Sequence, residues 1–331
     1  MSELDPKANS PKPQHNKEPK VSIIIISYNQ QEFIAEAIEG AVTQAYDNLE
    51  VVVSDDGSTD NTQEIIKAFS VRYPGRLIPL LNKHNVGVTA NCNRALNVCT
   101  GELIALVGGD DVILPNKIAS QVEWFGRMPH RVLCAHLGQN IYADGTLMHD
   151  GSDRRPRKKF AGGFGPINII MRNFIPYPTS VMVRASAIPA YGFDPEVTVA
   201  SDFLFWIDVL AGGGEYGCLD EVFAHRRRHG NNVSNDQDKM FSDLALSYKI
   251  IENRYPAYRG ICRKTSVRHV IYYYGVIRLK ENYLDLELAT SLFINAIKIE
   301  PFYLKAWVRL CQSLYRRSVR VLKKRMQRKG G

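Results

Sequence analysis

The sequence predicts an α/β fold, a mostly parallel sheet with helices on both faces, followed by an all-helical C-terminal extension. Three observations carry this. Three short apolar runs, at residues 21–26, 49–54 and 103–107, are bounded by polar residues and have the length of fully buried strands. Helical periodicities alternate with these runs as far as Asp111, the pattern of parallel strands covered on both sides. From Lys239 onward the spacing reads as helical throughout.

The elements follow in order. Residues 31–43 place Phe33, Ile34, Ala37, Ile38, Ala41 and Val42 on one stripe, which predicts an amphipathic helix. The second strand leads into Asp55-Asp56-Gly57-Ser58, and Asp60 with Gln63 three residues on forms a capping pattern ahead of Ile65, Ile66 and Phe69. A turn at Asn85-Val86-Gly87 precedes a third helix over 88–98. The third strand leads through Gly108-Gly109 into Asp110-Asp111. Pro115 is suited to open a fourth helix, with Ile118, Val122 and Phe125 on its buried face. Residues 131–142 alternate loosely, and Asp144-Gly145 is a hairpin signal. Residues 151–166, basic and Gly-rich, read as a mobile loop, residues 180–184 as a short strand and residues 202–210 as a helix facing the sheet. Residues 287–317 resemble one tetratricopeptide-like helix pair, and a single unit does not make a repeat array.

With 331 residues and a hydrophobic fraction of 45 %, the chain can build a sizeable core. No apolar stretch approaches the roughly 18 residues of a membrane span. Residues 1–20 are polar, rich in Pro, Lys and Asn, and lack an apolar centre, which predicts a disordered leader and not a signal peptide. The six cysteines are scattered without a C-x-x-C pair, so reduced thiols in a cytosolic protein are expected and zinc is not.

The formal net charge is +8, and eight Lys or Arg lie between Arg316 and Lys329 with no acid after Glu300. That tail accounts for the whole excess. A nucleic-acid enzyme would spread its charge over a working face, so no nucleic-acid partner is expected. Tyr315, Val319, Leu322 and Met326 fall on one side of the tail, opposite the Lys/Arg face. Such a helix can lie on an anionic membrane surface or pack against a neighbouring helix.

Chemistry concentrates in the two pairs of adjacent aspartates at strand ends. Carboxylates at the carboxyl ends of parallel strands converge on the crevice where open α/β sheets bind ligands. Two acidic pairs there repel one another unless a cation or hydrogen-bond donors offset them. The arrangement suggests a site for a divalent metal and a nucleotide.

Four ordered segments, V-S-I-I-I-I-S-Y-N at 21–29, S-D-D-G-S-T-D-N at 54–61, N-V-G-V-T-A-N-C-N at 85–93 and T-G-E-L-I-A-L-V-G-G-D-D at 100–111, closely resemble the inverting family 2 glycosyltransferases, whose A-type nucleotide-sugar fold is Rossmann-like. The resemblance covers residues 21–234, about two thirds of the chain. It implies that Asp56 hydrogen-bonds the nucleotide base and that Tyr28 stacks on or flanks it; as a plain alternative, D-D-G-S-T-D is a turn before a helix. Asp110 and Asp111 match the family's acidic metal motif, with Asp111 expected on the metal and Asp110 near the ribose. Many relatives read D-A-D-D here, whereas this chain has Gly108-Gly109, so the outermost acid is absent. Asp202, in V-A-S-D-F-L-F-W, is the expected catalytic base, with Ser201 where relatives carry Glu; alone it would read as an N-cap. The segment H-R-R-R-H-G-N-N-V-S at 225–234 resembles the family's R-x-H-x-x-N-x-S, which puts Arg227 on the diphosphate and His229 on diphosphate or metal. Its plain alternative is a basic surface loop.

The expectation is therefore a cytoplasmic, metal-dependent inverting glycosyltransferase using Mn²⁺ or Mg²⁺. It would move a sugar from a UDP- or dTDP-sugar donor to a hydroxyl of a glycan or lipid-linked acceptor in bacterial cell-surface polysaccharide synthesis. It could sit peripherally on the inner face of the plasma membrane. The expected organisation is a leader over 1–20, a catalytic domain over 21–238 (nucleotide-binding half 21–115, acceptor half 116–238) and a helical region over 239–331. Gly108 and Ser201 support a competing reading as a non-catalytic sugar-nucleotide-binding or scaffold protein. A processive synthase is disfavoured because no Q-x-x-R-W follows Asp202, and a dinucleotide oxidoreductase because no G-x-G-x-x-G follows the first strand.

Overall fold

The structure, a computed structural model, describes residues 18–149, 165–171, 176–281 and 286–329. Most of the expected leader (1–17) and of the expected basic loop (151–164) lies outside the described residues. The N-terminal half alternates β1 (Val21–Ser27), α1 (Ile34–Val42), β2 (Leu49–Asp55), α2 (Thr62–Arg72), β3 (Leu77–Leu81), α3 (Val88–Leu96) and β4 (Leu103–Gly108). There follow β5 (Val112–Ile113), α4 (Lys117–Arg127), β6 (Arg131–Tyr142), α5 (Pro166–Ile170), β7 (Met182–Arg184), α6 (Ser201–Ala211) and β8 (Glu215–Arg228). The strands form one sheet in the order β3-β2-β1-β4-β7-β6-β8-β5. The block β3-β2-β1-β4 is parallel; β7 pairs antiparallel with β4 and β6, β6 runs parallel to β8, and β5 closes antiparallel on β8. The mostly parallel sheet covered on both faces is the expected fold.

Strand alternation builds two cores from the same runs. Ile24, Val52, Ile104 and Leu106 face one side, with Cys92 and Ala95 of α3 and Leu204 and Ile207 of α6. Ile23, Ile25, Val51, Val53, Ala105 and Val107 face the other, with Ile34 and Ile38 of α1, Ile66 of α2 and Ile118 of α4. Burial on both faces is why these strands read as continuous apolar runs.

Several local expectations shift. The fourth helix starts at Lys117, because Asn116 takes a left-handed conformation (φ 67°) that separates Pro115 from it. Asp60 accepts from the Thr62 N–H at 3.0 Å as expected, but Gln63 does not complete a capping box. Its amide donates instead to Asp55 Oδ2 and to the Asn82 carbonyl. Residues 225–228, for which a basic surface loop is the plain alternative, are the end of β8, which pairs with β6 and β5.

The helical region is α7 (Gln237–Arg254), α8 (Arg259–Ser266), a π-helical turn (Val267–Tyr272), α9 (Tyr273–Glu281), α10 (Leu286–Ile299) and α11 (Leu304–Lys329). It divides in packing. Leu244, Tyr248, Ile251 and Cys262 join the core of the α3/α6 face. From Val267 onward a separate cluster forms around Tyr272, Leu279, Ala289, Phe293 and Ala306. Among the described residues, no helix is long and apolar enough to cross a membrane.

Candidate active site

The carboxyl ends of β1, β2 and β4 define one edge of the parallel block. At β2, Asp55 is fully buried and takes four hydrogen bonds. They come from the Ser27 hydroxyl (3.0 Å), the Ser58 hydroxyl (2.5 Å), the Ser58 N–H (2.9 Å) and the Gln63 amide (2.8 Å). This carboxylate locks the turn that presents its neighbour. Gly57 completes that turn at φ 74°, where an added Cβ would lie 2.5 Å from the His84 carbonyl carbon.

Asp56 is 3 % exposed. Its Oδ1 accepts from the Val86 N–H (2.8 Å) and the Asn82 amide (3.1 Å), and its Oδ2 from the Gly87 N–H (2.9 Å). It thereby holds the turn that opens α3. The Asp56 N–H donates to the Ser27 carbonyl at 2.9 Å, which sets Asp56 beside Tyr28, the next residue after β1 and 44 % exposed. Asn29, at φ 51°, accepts the Thr59 N–H on its side chain and fixes the rim behind Tyr28.

At β4, Asp110 and Asp111 part. Asp111 is nearly buried: Oδ2 accepts the Thr179 hydroxyl and Oδ1 the Arg227 N–H at 3.0 Å. Burial, and then the adjacent Asp110 charge, push its carboxyl up to about 7. Asp110 is the more open of the two. Its Oδ2 meets His229 Nε2 at 2.9 Å and the Asn232 amide at 2.8 Å. The sequence reading puts Asp111 on a metal and Asp110 near a ribose; in the fold Asp110 is the carboxylate that faces the opening. Gly108 has a local reason: a Cβ there would lie 2.8 Å from Asp110 Oδ1, so the position where relatives carry an acid is covered by the Asp110 carboxylate itself.

Arg227 reaches this site but points inward, with its side chain 2 % exposed. Nε donates to the Asp110 carbonyl (2.9 Å), Nη1 to the Ala143 carbonyl (2.8 Å) and Nη2 to Glu36 (2.5 Å), and the guanidinium lies over the Phe33 ring at 5.0 Å. Its side-chain donors are committed to protein groups, so it holds the Asp110 peptide in place. Arg226, on the opposite parity of β8, carries a positive charge that offsets part of the rise that burial imposes on Asp111 and Tyr177. Phe33 also packs against the His229 ring, with centroids 4.8 Å apart.

Asp202 stands in the first turn of α6, where Oδ1 accepts the Phe203 N–H at 2.8 Å. Its link to the acidic edge runs through α3. Thr89 donates to the Val197 carbonyl at 2.7 Å, and the Cys92 thiol is pushed up to about 12 by burial and then by the charges of Asp202 and Asp56. The charges of Asp202 and Asp56 thus both act on one buried thiol. Asp243 of α7 fixes the lead-in to Asp202 by accepting the Val199 and Ala200 N–H groups at 2.5 and 3.1 Å.

Sequence reasoning did not single out Thr179, Glu36 or Asp243. Nothing local marks them; each acts on a residue far along the chain. Asn232 was legible as the Asn of the R-x-H-x-x-N-x-S segment. Asp110 and His229 supply one carboxylate and one imidazole, and among the described residues no group of three or more His, Cys, Asp or Glu is arranged to hold a metal.

Residues 22–186 match the model of the family described as glycosyl transferase family 2. An uncharacterised protein of Mycobacterium tuberculosis is 35 % identical over 215 residues, 64 % of this chain and 60 % of its own length. The chain therefore spans about 60 % of the length of the first curated relatives that it matches. Among solved structures, S. aureus TarS 1–349 in complex with UDP-GlcNAc superposes with a TM-score of 0.68 at 20 % identity, covering 90 % of this chain and 89 % of that one. The mannosyltransferase PcManGT of Pyrobaculum calidifontis, in complex with GDP-Man and Mn²⁺, gives 0.60 at 17 % identity, covering 93 % and 88 %.

Proposed function

Because the chain belongs, through residues 22–186, to glycosyl transferase family 2, we propose that it transfers a sugar from a UDP- or dTDP-sugar to a hydroxyl of a glycan or lipid-linked acceptor, with inversion at the anomeric carbon. The observation that carries this reading is the convergence of Asp110, His229 and Asn232 within hydrogen-bond distance at the end of β4, beside the buried Asp111.

Tyr28 offers an exposed ring to a flat base. An ionised carboxylate has about four acceptor positions. Three on Asp56 are taken by Val86, Asn82 and Gly87, which leaves one on Oδ2 for the imide N–H of uracil or thymine. The acidic pair fits a divalent cation: two adjacent carboxylates, one of them driven towards its neutral form by burial and by its neighbour, are relieved by positive charge. Asp110 and His229 would hold the ion, with Asp111 behind them. Mg²⁺ and Mn²⁺ suit such a small protein set when substrate phosphates and water complete the shell. A bound cation supplies neutralisation of the charge that develops on the diphosphate leaving group. Arg227 orients the Asp110 backbone, and Asp202 removes the proton of the attacking hydroxyl.

The organisation expected from the sequence is retained in this proposal: donor half over 21–115, acceptor half over 116–238, helical region over 239–331. Exposed Phe302, Leu304, Trp307 and Val308 lie at the start of α11, whose other end carries the basic stretch, and favour a peripheral position on an anionic membrane. Placement in cell-surface polysaccharide synthesis belongs to the same proposal.

The test is release of UDP or dTDP from a panel of donor sugars, with and without Mn²⁺ or Mg²⁺. Metal-dependent turnover is expected, and Asp202→Asn should lower transfer about 10²–10⁴-fold while UDP still binds. A wild-type chain that binds UDP and turns over no donor would favour the non-catalytic reading, and loss below tenfold in the variant would point to another base.

A further inference from the structure

A second concavity lies outside the acidic edge and outside the family match. A cavity of about 410 Å³ is lined by Ser234, Gln237, Met240, Phe241, Leu244, His269, Tyr273 and Ile277. Its volume falls in the range of roughly 300–1,000 Å³ typical of small-molecule sites. One wall is the first half of α7. The other is the π-helical turn and the start of α9, and such turns recur at functional sites.

Three features give this cavity a chemistry. Its walls are built and fixed: the Tyr274 hydroxyl donates to Asp238 at 2.7 Å, Arg278 pairs with the same carboxylate, and the Phe241 and Tyr274 rings meet at 4.9 Å. Its lining is mixed, with Met240, Phe241, Leu244 and Ile277 beside a hydroxyl, an amide and an imidazole. The Tyr273 ring stacks on His269 with centroids 5.7 Å apart at 24° and meets Tyr272 edge-on at 5.6 Å, yet the residue is 50 % exposed, so half of its surface is accessible to a ligand. A pyranose matches this pattern, with an apolar C–H face for the ring and a rim of hydroxyls for the polar groups. An acyl chain would make no hydrogen bond to the Ser234 hydroxyl or the Gln237 amide.

Position ties the cavity to the chemistry. The turn that gives it Ser234 gives Asn232 and His229 to Asp110. The helix that gives it Gln237, Met240, Phe241 and Leu244 holds the lead-in to Asp202 through Asp243. Both sides of the candidate reaction centre are therefore braced by the walls of this one cavity.

We propose that the cavity is an acceptor subsite that takes a pyranose ring of a carbohydrate acceptor stacked on Tyr273. The proposal rests on the transferase reading above. The test is saturation-transfer NMR of the full chain with methyl β-glycosides of glucose, galactose and N-acetylglucosamine and methyl α-mannoside, with sodium octanoate as the apolar probe. At least one glycoside should bind, Tyr273→Ala should weaken it tenfold or more, and Tyr273→Phe, which keeps the ring, should stay within threefold. Circular dichroism checks folding. If Tyr273→Ala does not fold, Gln237→Ala at its exposed position carries the test, with at least threefold weaker binding expected. Absence of glycoside binding, binding of octanoate alone, or unchanged affinity in Tyr273→Ala (or, where that does not fold, Gln237→Ala) would overturn the assignment. Calorimetry of UDP with the wild-type chain reports separately on the donor site: glycosides bound without UDP would remove the transferase reading and leave the cavity's ligand class standing.

Discussion

Lys117 opens α4 with no exposed surface, and its ammonium donates to Gln121 Oε1 at 2.6 Å. Gln121 is fully engaged in turn, its amide donating to the Cys134 and Ser180 carbonyls at 3.0 and 3.1 Å. Burial pulls Lys117 down from 10.5 to about 7. His136, packed nearby, is held below its usual range by burial and then by the Lys117 charge. The perturbation is Lys117→Met, which keeps the chain length and removes the amine. A displacement from 10.5 to about 7, at about 1.36 kcal/mol per unit, makes the charged form about 5 kcal/mol worse in the folded state than in the unfolded. Between those two values the unfolded chain binds more protons than the folded one, so this group's contribution is neutral above 10.5 and becomes fully unfavourable as pH falls to about 7. Against that, the variant leaves Gln121 Oε1 without its donor, a pH-independent cost of about 1–3 kcal/mol. Urea denaturation of both proteins from pH 6 to pH 10 should show the variant gaining about 3–5 kcal/mol on the wild type as pH falls from about 10 to about 7, then no further. A stability difference that does not change over this range would refute the claim that Lys117 titrates in a dry environment.

Three further outcomes are expected. Asp110→Asn should lower Mn²⁺-dependent UDP affinity at least tenfold in calorimetry while leaving metal-free affinity unchanged; equal loss in both conditions would mean that Asp110 does not act through a cation. Arg227→Lys keeps the charge but not the fork that joins Asp110, Ala143 and Glu36, so unfolding free energy should fall by about 1.5–3 kcal/mol in urea titration; an unchanged value would show that the inward contacts are not formed in solution. Removal of residues 316–331, which hold eight Lys or Arg, should reduce co-sedimentation with anionic vesicles, since each basic residue contributes roughly 1 kcal/mol near such a surface. The attraction should fade with added salt, and equal sedimentation of both forms at low salt would remove the membrane reading.

The sequence by itself determined three of the four strands of the parallel block and the acidic residues at their ends; β3 (Leu77–Leu81), only partly buried, is not among them. Val21–Ser27, Leu49–Asp55 and Leu103–Gly108 are buried on both faces, so each strand is written locally as an apolar run, and the turn residues that end it are written beside it. Asp56, Asp110 and His229 were legible for the same reason: their motifs are short and ordered along the chain. Tertiary structure decided β8, whose Glu215–Arg228 run is charged and half exposed and becomes a strand only by pairing with β6 and β5. It also decided which side chains are available for chemistry. Arg227 turns inward because Glu36, 191 residues away in the chain, waits there with Phe33. Asp111 withdraws because Thr179 and the Arg227 N–H close over its two oxygens, which leaves Asp110 outermost with His229. Local sequence specifies which groups a strand end carries; their exposure and partners depend on contacts between distant segments, which a linear pattern does not encode.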